Sequence, residues 1–151
     1  MNVADASPPA QVLKLDRWAY RSRANTLEPS LALIADILAV SERNNRRDDI
    51  SGSLVLDDGW FFQVMEGPAE ALGRLMRRLE LDSRHCDIEA VHQVQVTSRL
   101  FRDWSMSAPR LAPSYAPLMR QVVEASRTDP PAAIRLLHKL AIEDSVHPGA
   151  A

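Results

Sequence analysis

Residues 50–67, with the sequence ISGSLVLDDGWFFQVMEG, contain the signal that decides the fold. Asp58–Gly59 is typical of a tight turn between antiparallel strands, and it separates a predicted strand at 50–56 from another at 60–65. The later strand has large apolar side chains on both faces, namely Phe61, Phe62, Val64 and Met65. Because a strand of this kind is normally central and covered twice, the sequence predicts a sheet with a layer on each face.

Hydrophobic periodicity extends this hairpin into a ferredoxin-like order of elements. Further strands are predicted at residues 12–20, 88–97 and 104–108, and helices are predicted to begin near residues 28, 68, 115 and 129. The order is β-α-β-β-α-β-β followed by α-α, which indicates an α+β, ferredoxin-like fold with two helices on one face of the sheet. We expect the last two helices to cover the other face.

The composition is that of an ordinary globular protein and argues against several functional classes. The chain has 151 residues, 46% of them hydrophobic and 25% charged, with a formal net charge of −2 and one cysteine. The sequence shows no basic stripe for nucleic acid, no apolar run long enough for a membrane span and no secretory signal, so we expect a cytoplasmic protein. We divide it into a flexible arm at 1–11, a folded domain at 12–109 and a helical extension at 110–151.

Gln63 is a polar residue in the middle of the doubly apolar strand. A buried amide needs partners for its carbonyl oxygen and its amino group, and leaving one unpaired costs about 1–3 kcal/mol. Three interpretations stay open: a ligand with a polar edge against Gln63, a structural glutamine that the protein itself satisfies, or a strand register that leaves Gln63 exposed to solvent. Tyr20 poses the same question, because a buried phenol also needs a partner, although core packing is the commoner explanation for a single tyrosine.

Two polar pairs have helical spacing. Ser41 and Asn45 lie on the apolar arc of the first predicted helix, four residues apart. They indicate either a ligand or, as the simpler interpretation, a helix-end cap and a local hydrogen bond. Arg78 and Asp82 have the same spacing in the second predicted helix, and a solvated ion pair is the default explanation for them.

Motifs of enzymes and metal proteins are scarce. Trp104 and Met106 share one face of the fifth predicted strand, where core packing is the ordinary explanation. The four histidines lack metal-ligand spacing, and Cys86 has His85 beside it only in sequence. We identify no glycine-rich phosphate loop, catalytic triad or paired carboxylates. The sequence therefore predicts no metal site and no enzyme of these classes.

Six short segments, taken in order, resemble the BLUF domain, a blue-light sensor that uses flavin. They are YRS at 20–22, SERNN at 41–45, ISG at 50–52, FFQVMEG at 61–67, DSRH at 82–85 and LFRDWSM at 100–106. Each segment alone is a weak signal, but their order and spacing together are specific. The resemblance covers residues 13–109, and the family has the same order of elements as the one predicted above.

The resemblance implies a flavin that is held noncovalently between the two helices and the sheet. Tyr20 would donate an electron and a proton under light, and Gln63 would bridge Tyr20 and the N5/O4 edge of the flavin. Asn45 would contact the other side of the carbonyl edge, and either Trp104 or Met106 would relay the signal. The other implied cofactor contacts are Ile37, Ser41, Leu54, Phe61, Arg78, Asp82, Arg84 and His85.

The function implied by the resemblance is light sensing rather than enzymatic turnover. FAD is the preferred cofactor, with FMN or riboflavin as alternatives. The chain resembles short BLUF proteins, which pass their signal through C-terminal helices to a separate protein partner or through a homo-oligomer. A flavin-dependent oxidoreductase and a cofactor-free interaction domain are the competing interpretations, and the colour and light response of the purified protein distinguish the three.

Overall fold

The computed structural model describes residues 14–25, 43–44, 46–83, 85–102 and 115–146. Its strands are β1 (Leu15–Ala24), β2 (Ser51–Asp57), β3 (Trp60–Gly67) and β4 (His85–Val96). Its helices are α1 (Ala69–Glu80), α2 (Ala116–Thr128) and α3 (Pro130–Val146). Residues 43–44 and 46–47 are also helical, so a helical segment precedes the turn that leads into β2.

The four strands form one antiparallel sheet in the order β2-β3-β1-β4. In the β2–β3 turn, Asp58 has a φ of 50° and Gly59 a φ of 78°, the left-handed pair that tight hairpin turns favour. The predicted hairpin and the ferredoxin-like α+β fold are therefore confirmed. The predicted start of the last helix is also correct, because the Asp129 carboxylate accepts a hydrogen bond from the Ala132 amide, 3.3 Å away, and caps α3.

One face of the sheet packs against α2 and α3. Phe62 and Val64 of β3 are fully buried in a core that also contains Val122 of α2 and Leu137 of α3. A strand that is apolar on both faces needs a second covering layer. The C-terminal helices supply that layer, as the sequence predicts.

The other face of the sheet packs against α1. Tyr20 and Met65 project from the sheet into a core that includes Leu72 and Leu75 of α1. Because side chains alternate across a strand, each of these sheet residues has a neighbour that points into the opposite core. The candidate site lies on this α1 face.

The strand boundaries differ from the sequence prediction by up to four residues, and two of the larger differences are at the end of β1 and the start of β4. β1 continues to Ala24 instead of ending at residue 20, and β4 begins at His85 instead of residue 88. Ala24 pairs with His85 in the β1–β4 register. The end of β1 and the start of β4 therefore provide each other's backbone hydrogen-bond partners, although the polar residues there are typical of loops. A register shift between Arg21 and Arg23 marks a bulge in this extended pairing.

Several predicted segments lie outside the described residues. They are the arm at 1–11, most of the first helix, the fifth strand at 104–108 and the linker at 109–113. Their structure therefore remains a prediction. The end of the first predicted helix lies within the described residues. Residues 46–47 are helical, and Asp49, with a φ of 58°, follows them. The sequence predicts that the helix ends in this same stretch.

Candidate functional site

Tyr20 and Gln63 form a buried hydrogen-bonded pair in the sheet. They lie directly opposite each other in the β1–β3 register, and they are only 3% and 4% exposed. The Tyr20 hydroxyl donates a hydrogen bond to Oε1 of Gln63. The structure thus brings together two residues that the sequence singles out separately, and it gives the Gln63 carbonyl a protein partner.

The environment of Tyr20 keeps its phenol protonated. Burial raises the pKa of the Tyr20 phenol far above its ordinary value, and the nearby negative charge of Asp82 raises it further. Loss of the proton alone would leave a phenolate in an apolar core next to a carboxylate. With its pKa raised, the Tyr20 phenol is protonated at neutral pH and donates to Gln63.

His85 connects three elements beside this pair. Its Nε2 lies 2.6 Å from the main-chain carbonyl oxygen of Leu79, and its Nδ1 lies 2.8 Å from the Ser22 hydroxyl. A carbonyl oxygen can only accept, so Nε2 carries a proton, and in the neutral ring Nδ1 accepts from Ser22. The ring also meets the Tyr20 and Phe61 rings edge-on, at centroid distances of 6.1 and 6.3 Å. Protein groups thus engage both ring nitrogens and fix the ring next to Tyr20.

Leu54 and Phe61 supply apolar surface on the Gln63 side of the site. Leu54 pairs with Gln63 across the β2–β3 register, and Phe61 precedes Gln63 by two residues on the same face of β3. Both side chains are buried, and they form one cluster with Leu56 and Ala24 at its edge. The polar pair therefore stands beside an apolar wall.

Arg78 and Asp82 lie near the C-terminal end of α1, but the ion pair of Arg78 is with another residue. Its Nη2 lies 3.3 Å from Oδ2 of Asp48, at the turn before β2. Hydrogen bonds from Arg47 and Arg78 keep the pKa of the Asp48 carboxyl below its ordinary value, against the opposing effect of burial. The spacing of Arg78 and Asp82 along the helix suggests a local pair, whereas the tertiary fold brings Asp48 to Arg78 and Asp82 close to Tyr20.

Six of the predicted site residues lie outside the described part of the chain. They are Ile37, Ser41, Asn45, Arg84, Trp104 and Met106. Their assignment to a cofactor or a signal relay therefore stays a prediction. The described residues form the wall of the site that comes from the sheet, α1 and the start of β4.

Glu66 is a buried residue whose carboxylate accepts several hydrogen bonds, and the sequence reasoning missed it. It is fully buried at the end of β3, and its Oε2 accepts hydrogen bonds from Arg17 Nε at 2.8 Å and from the Leu100 amide at 3.0 Å. Its Oε1 accepts from the Phe101 amide at 2.7 Å. The argument used for Gln63 applies equally to this carboxylate, because it too is a polar residue in a doubly covered strand.

Arg99 completes the attachment of the segment that follows β4. Its guanidinium donates to Ser51 Oγ at 2.9 Å, to the Glu66 carbonyl oxygen at 3.0 Å and to the Asp49 carbonyl oxygen at 2.8 Å. The segment after β4 is thereby held to the end of the β2–β3 pair that lies away from the hairpin turn, where Ser51 and Glu66 are opposite each other. No local sequence signal identifies Arg99, because its partners are about 30 to 50 residues away in the chain.

The described ranges contain no candidate for two other kinds of site. No three His, Cys, Asp or Glu residues there are grouped so that they could hold a metal ion. No helix in the same ranges has the length and apolar character of a membrane span. Cys86 is a free thiol.

A family model described as sensors of blue-light using FAD matches residues 15–107. The match spans more than half of the chain and includes the Tyr20–Gln63 pair and His85. The chain belongs to the BLUF family. The resemblance carried by the six sequence segments is thereby confirmed.

Curated relatives of this BLUF chain include much longer proteins. The photoactivated adenylate cyclase subunit beta of Euglena gracilis is 32% identical over 95 residues, which are 62% of this chain and 11% of that protein. The blue light- and temperature-regulated antirepressor BluF of Escherichia coli is 33% identical over 69 residues, which are 46% of this chain and 17% of that protein. The chain thus spans less than a fifth of either relative.

Solved BLUF structures share the fold of this chain. The dark-state structure of the BLUF protein BlrB is 32% identical and covers 84% of this chain and 94% of its own, with a TM-score of 0.68. The photo-activated state of BlsA is 24% identical, and the match covers 82% of this chain and 94% of the BlsA chain with a TM-score of 0.70. This likeness shows the fold alone. BlrP1 of Klebsiella pneumoniae with FMN and cyclic diGMP is 25% identical, and the match covers 76% of this chain and 35% of the BlrP1 chain with a TM-score of 0.62.

Proposed function

We propose that this BLUF chain is a blue-light photoreceptor that holds a flavin noncovalently against the Tyr20–Gln63 face of its sheet. The observation that carries the proposal is the buried hydrogen bond from the Tyr20 hydroxyl to Gln63 Oε1, set beside apolar side chains. The match to a family of sensors of blue-light using FAD supports the same assignment. Light sensing, rather than turnover of a substrate, is the activity we assign.

The described side chains suit a flat heterocycle that has an apolar body and a polar edge. Leu54 and Phe61 offer apolar surface to the rings, and the Gln63 amide offers hydrogen bonds to the edge. We assign Arg78 and Asp82, at the end of α1, to the ribityl side of the cofactor. FAD is our first assignment because the family description names it, and FMN and riboflavin, which have the same ring system, are the alternatives.

The chemistry of the switch is assigned to Tyr20 and Gln63. A bound flavin supplies the absorption of blue light and an excited state that accepts an electron and a proton. The raised pKa of Tyr20 opposes loss of its proton alone, so we infer that Tyr20 would give up an electron and its Oη proton together. The electron would go to the flavin and the proton to Gln63 Oε1, while Gln63 would pass a proton from its amide nitrogen on to the flavin. When electron and proton return to Tyr20, the Gln63 amide stays rotated or tautomerised, and its altered donor pattern strengthens hydrogen bonding at the carbonyl edge.

The output is assigned to the segment that follows β4 and to the C-terminal helices. Phe101, two residues after Arg99, is fully buried, and its ring meets the His138 ring of α3 at 5.6 Å in an edge-on contact. A shift of the fifth predicted strand, through Trp104 or Met106, would therefore reach α3 directly. In this proposal residues 12–109 bind the flavin, and residues 110–151 pass the signal to a partner protein or within a homo-oligomer.

The absorption spectrum of the purified chain before and after blue light tests this proposal. We expect flavin absorption bands and a reversible shift to longer wavelength without any added substrate. Chromatography of the released cofactor distinguishes FAD, FMN and riboflavin. A colourless protein that takes up none of the three would contradict flavin binding, and bleaching that requires a substrate would indicate an oxidoreductase instead.

A further inference from the structure

A cavity of about 230 Å³ lies between the β2–β3 hairpin and α2, on the face of the sheet opposite to Tyr20 and Gln63. The charged residues that line it are Arg21 of β1, Asp57 and Asp58 of the hairpin, and Arg120, Glu124 and Arg127 of α2. The three α2 residues are spaced i, i+4 and i+7, so they share one face of the helix. The volume is below the roughly 300–1,000 Å³ of pockets for drug-sized ligands, which indicates a small occupant.

Arg21 is the buried positive charge of this cavity. It is only 5% exposed, and its guanidinium carbon lies 4.3 Å from the centre of the Trp60 ring. That stacking engages the flat face of the guanidinium, whereas its N–H groups donate in the plane. Nε of Arg21 is buried without a hydrogen-bond partner among the described residues. A carboxylate in the cavity would accept a hydrogen bond from Nε and pair with the guanidinium charge at the same time.

Asp57 is the half-buried negative charge of the cavity. Burial raises the pKa of its carboxyl, and the charges of Asp58 and Glu124 act in the same direction while Arg120 acts against them. Asp58, Glu124, Arg120 and Arg127 are exposed, so water screens them. An ammonium group close to Asp57 would stabilise its charged form.

Arg21 and Asp57 face the same side of the sheet. Asp57 pairs with Trp60, and Trp60 pairs with Arg23 of β1, so Asp57 lies two strand spacings, about 10 Å, across the sheet from Arg23, and Arg21 lies two residues, about 7 Å, further along β1. Both side chains line the same cavity, so a ligand that fills the cavity can contact both. We propose that the cavity binds a small zwitterion, an amino-acid-like molecule whose carboxylate pairs with Arg21 and whose ammonium pairs with Asp57.

Three probes with the same four-carbon chain test this assignment on the full chain: 4-aminobutyrate, butyrate and butylamine. Titration calorimetry gives the affinities, and the NMR signal of Arg21 Nε–H reports on the carboxylate end. We expect 4-aminobutyrate to bind saturably, to shift that signal and to bind about fivefold more tightly than butyrate, the factor that one partly exposed ion pair supplies. Butylamine should leave the Arg21 signal unchanged.

Two variants locate the two ends of the ligand. Arg21→Gln should abolish binding of 4-aminobutyrate and butyrate, and Asp57→Asn should lower the affinity for 4-aminobutyrate to that of butyrate. Glu70→Gln, in the first turn of α1, is the matched control and should change neither. If Arg21→Gln does not fold, the Asp57→Asn comparison still decides the ammonium assignment. Absence of saturable binding at millimolar 4-aminobutyrate, or equal binding of butyrate and 4-aminobutyrate, would overturn the proposal, and neither outcome depends on flavin photochemistry.

Discussion

Arg99 donates a hydrogen bond to the main-chain carbonyl oxygen of Glu66, 3.0 Å away, and the Glu66 carboxylate in turn accepts from the amides of the two residues that follow Arg99. The two residues thus hold the segment after β4 against the end of β3 from both sides. Because Gln63 lies three residues before Glu66 on β3, this attachment joins the candidate light-sensing strand to the segment that we assign to the output.

Glu66→Gln should destabilise the protein by about 3 kcal/mol. The buried carboxylate accepts from Arg17 and from two amides, and a glutamine would place an N–H₂ group against one of these donors. Urea unfolding of the full chain measures the change. Glu89→Gln, at an exposed position of β4, is the control and should stay within about 0.5 kcal/mol of the wild type. Equal unfolding midpoints for Glu66→Gln and the wild type would show that the attachment contributes nothing to stability.

Gly52→Ala should destabilise the protein severely, by roughly 4 kcal/mol or more. A Cβ at this position would lie 2.1 Å from the main-chain oxygen of Val64, so the β2–β3 pairing would have to separate. Gly73→Ala is the matched comparison, because only the end of the Arg77 side chain, 3.9 Å away, lies near its Cβ. In this helical position alanine should stabilise by about 0.5–1 kcal/mol. Thermal unfolding of the two variants checks the opposite signs, and a well-folded Gly52→Ala would contradict the close approach of the strands.

His92 should make the protein less stable as the pH falls. Burial lowers the pKa of its imidazole, and the Arg17 charge lowers it further. Between the ordinary value of about 6.5 and the lowered folded value, the unfolded chain binds a proton that the native chain does not, so stability is full above about pH 6.5 and decreases below it. In His92→Gln this part of the dependence should vanish, as seen by comparing urea midpoints at neutral and mildly acidic pH. A variant with the same pH slope as the wild type would assign the slope to other groups.

Much of the fold could be predicted because its signals are local. The Asp58–Gly59 turn and the apolar residues on both faces of β3 lie within a few residues of each other, and each has one structural explanation. The extension of β1 to Ala24 could not be read in this way, because its backbone partners come from His85, some 60 residues later. The polar residues at this end of β1 resemble those of a loop in the sequence, because the pairing that makes them a strand comes from a distant part of the chain.

The candidate site could be predicted only in part, for the same reason. Gln63 was identifiable because a polar residue in a buried strand must be paired, and the same rule would have found Glu66. The ion pair of Arg78 with Asp48 depends on how α1 docks, whereas helical spacing indicates only the neighbour at Asp82. The two hydrogen bonds of His85 likewise require the tertiary fold.

Tyr20→Phe should bind flavin and fail to form the red-shifted state. The ring still packs in the α1 core, but the hydroxyl that donates to Gln63 is lost, and with it the assigned source of electron and proton. Loss of this buried hydrogen bond should lower the free energy of unfolding by about 1–2 kcal/mol. The yield of the red-shifted state under blue light measures the effect, and a normal yield would remove Tyr20 from the mechanism.

The light-minus-dark absorption spectrum of Gln63→Leu, beside that of the wild type, tests the central claim most directly. Leucine keeps the approximate size of the side chain and removes both its hydrogen-bond donor and its acceptor. We predict that the variant retains its flavin and its dark spectrum in outline, and that blue light produces no stable red shift. A reversible red shift of wild-type size in Gln63→Leu would contradict the assignment of the switch to this amide.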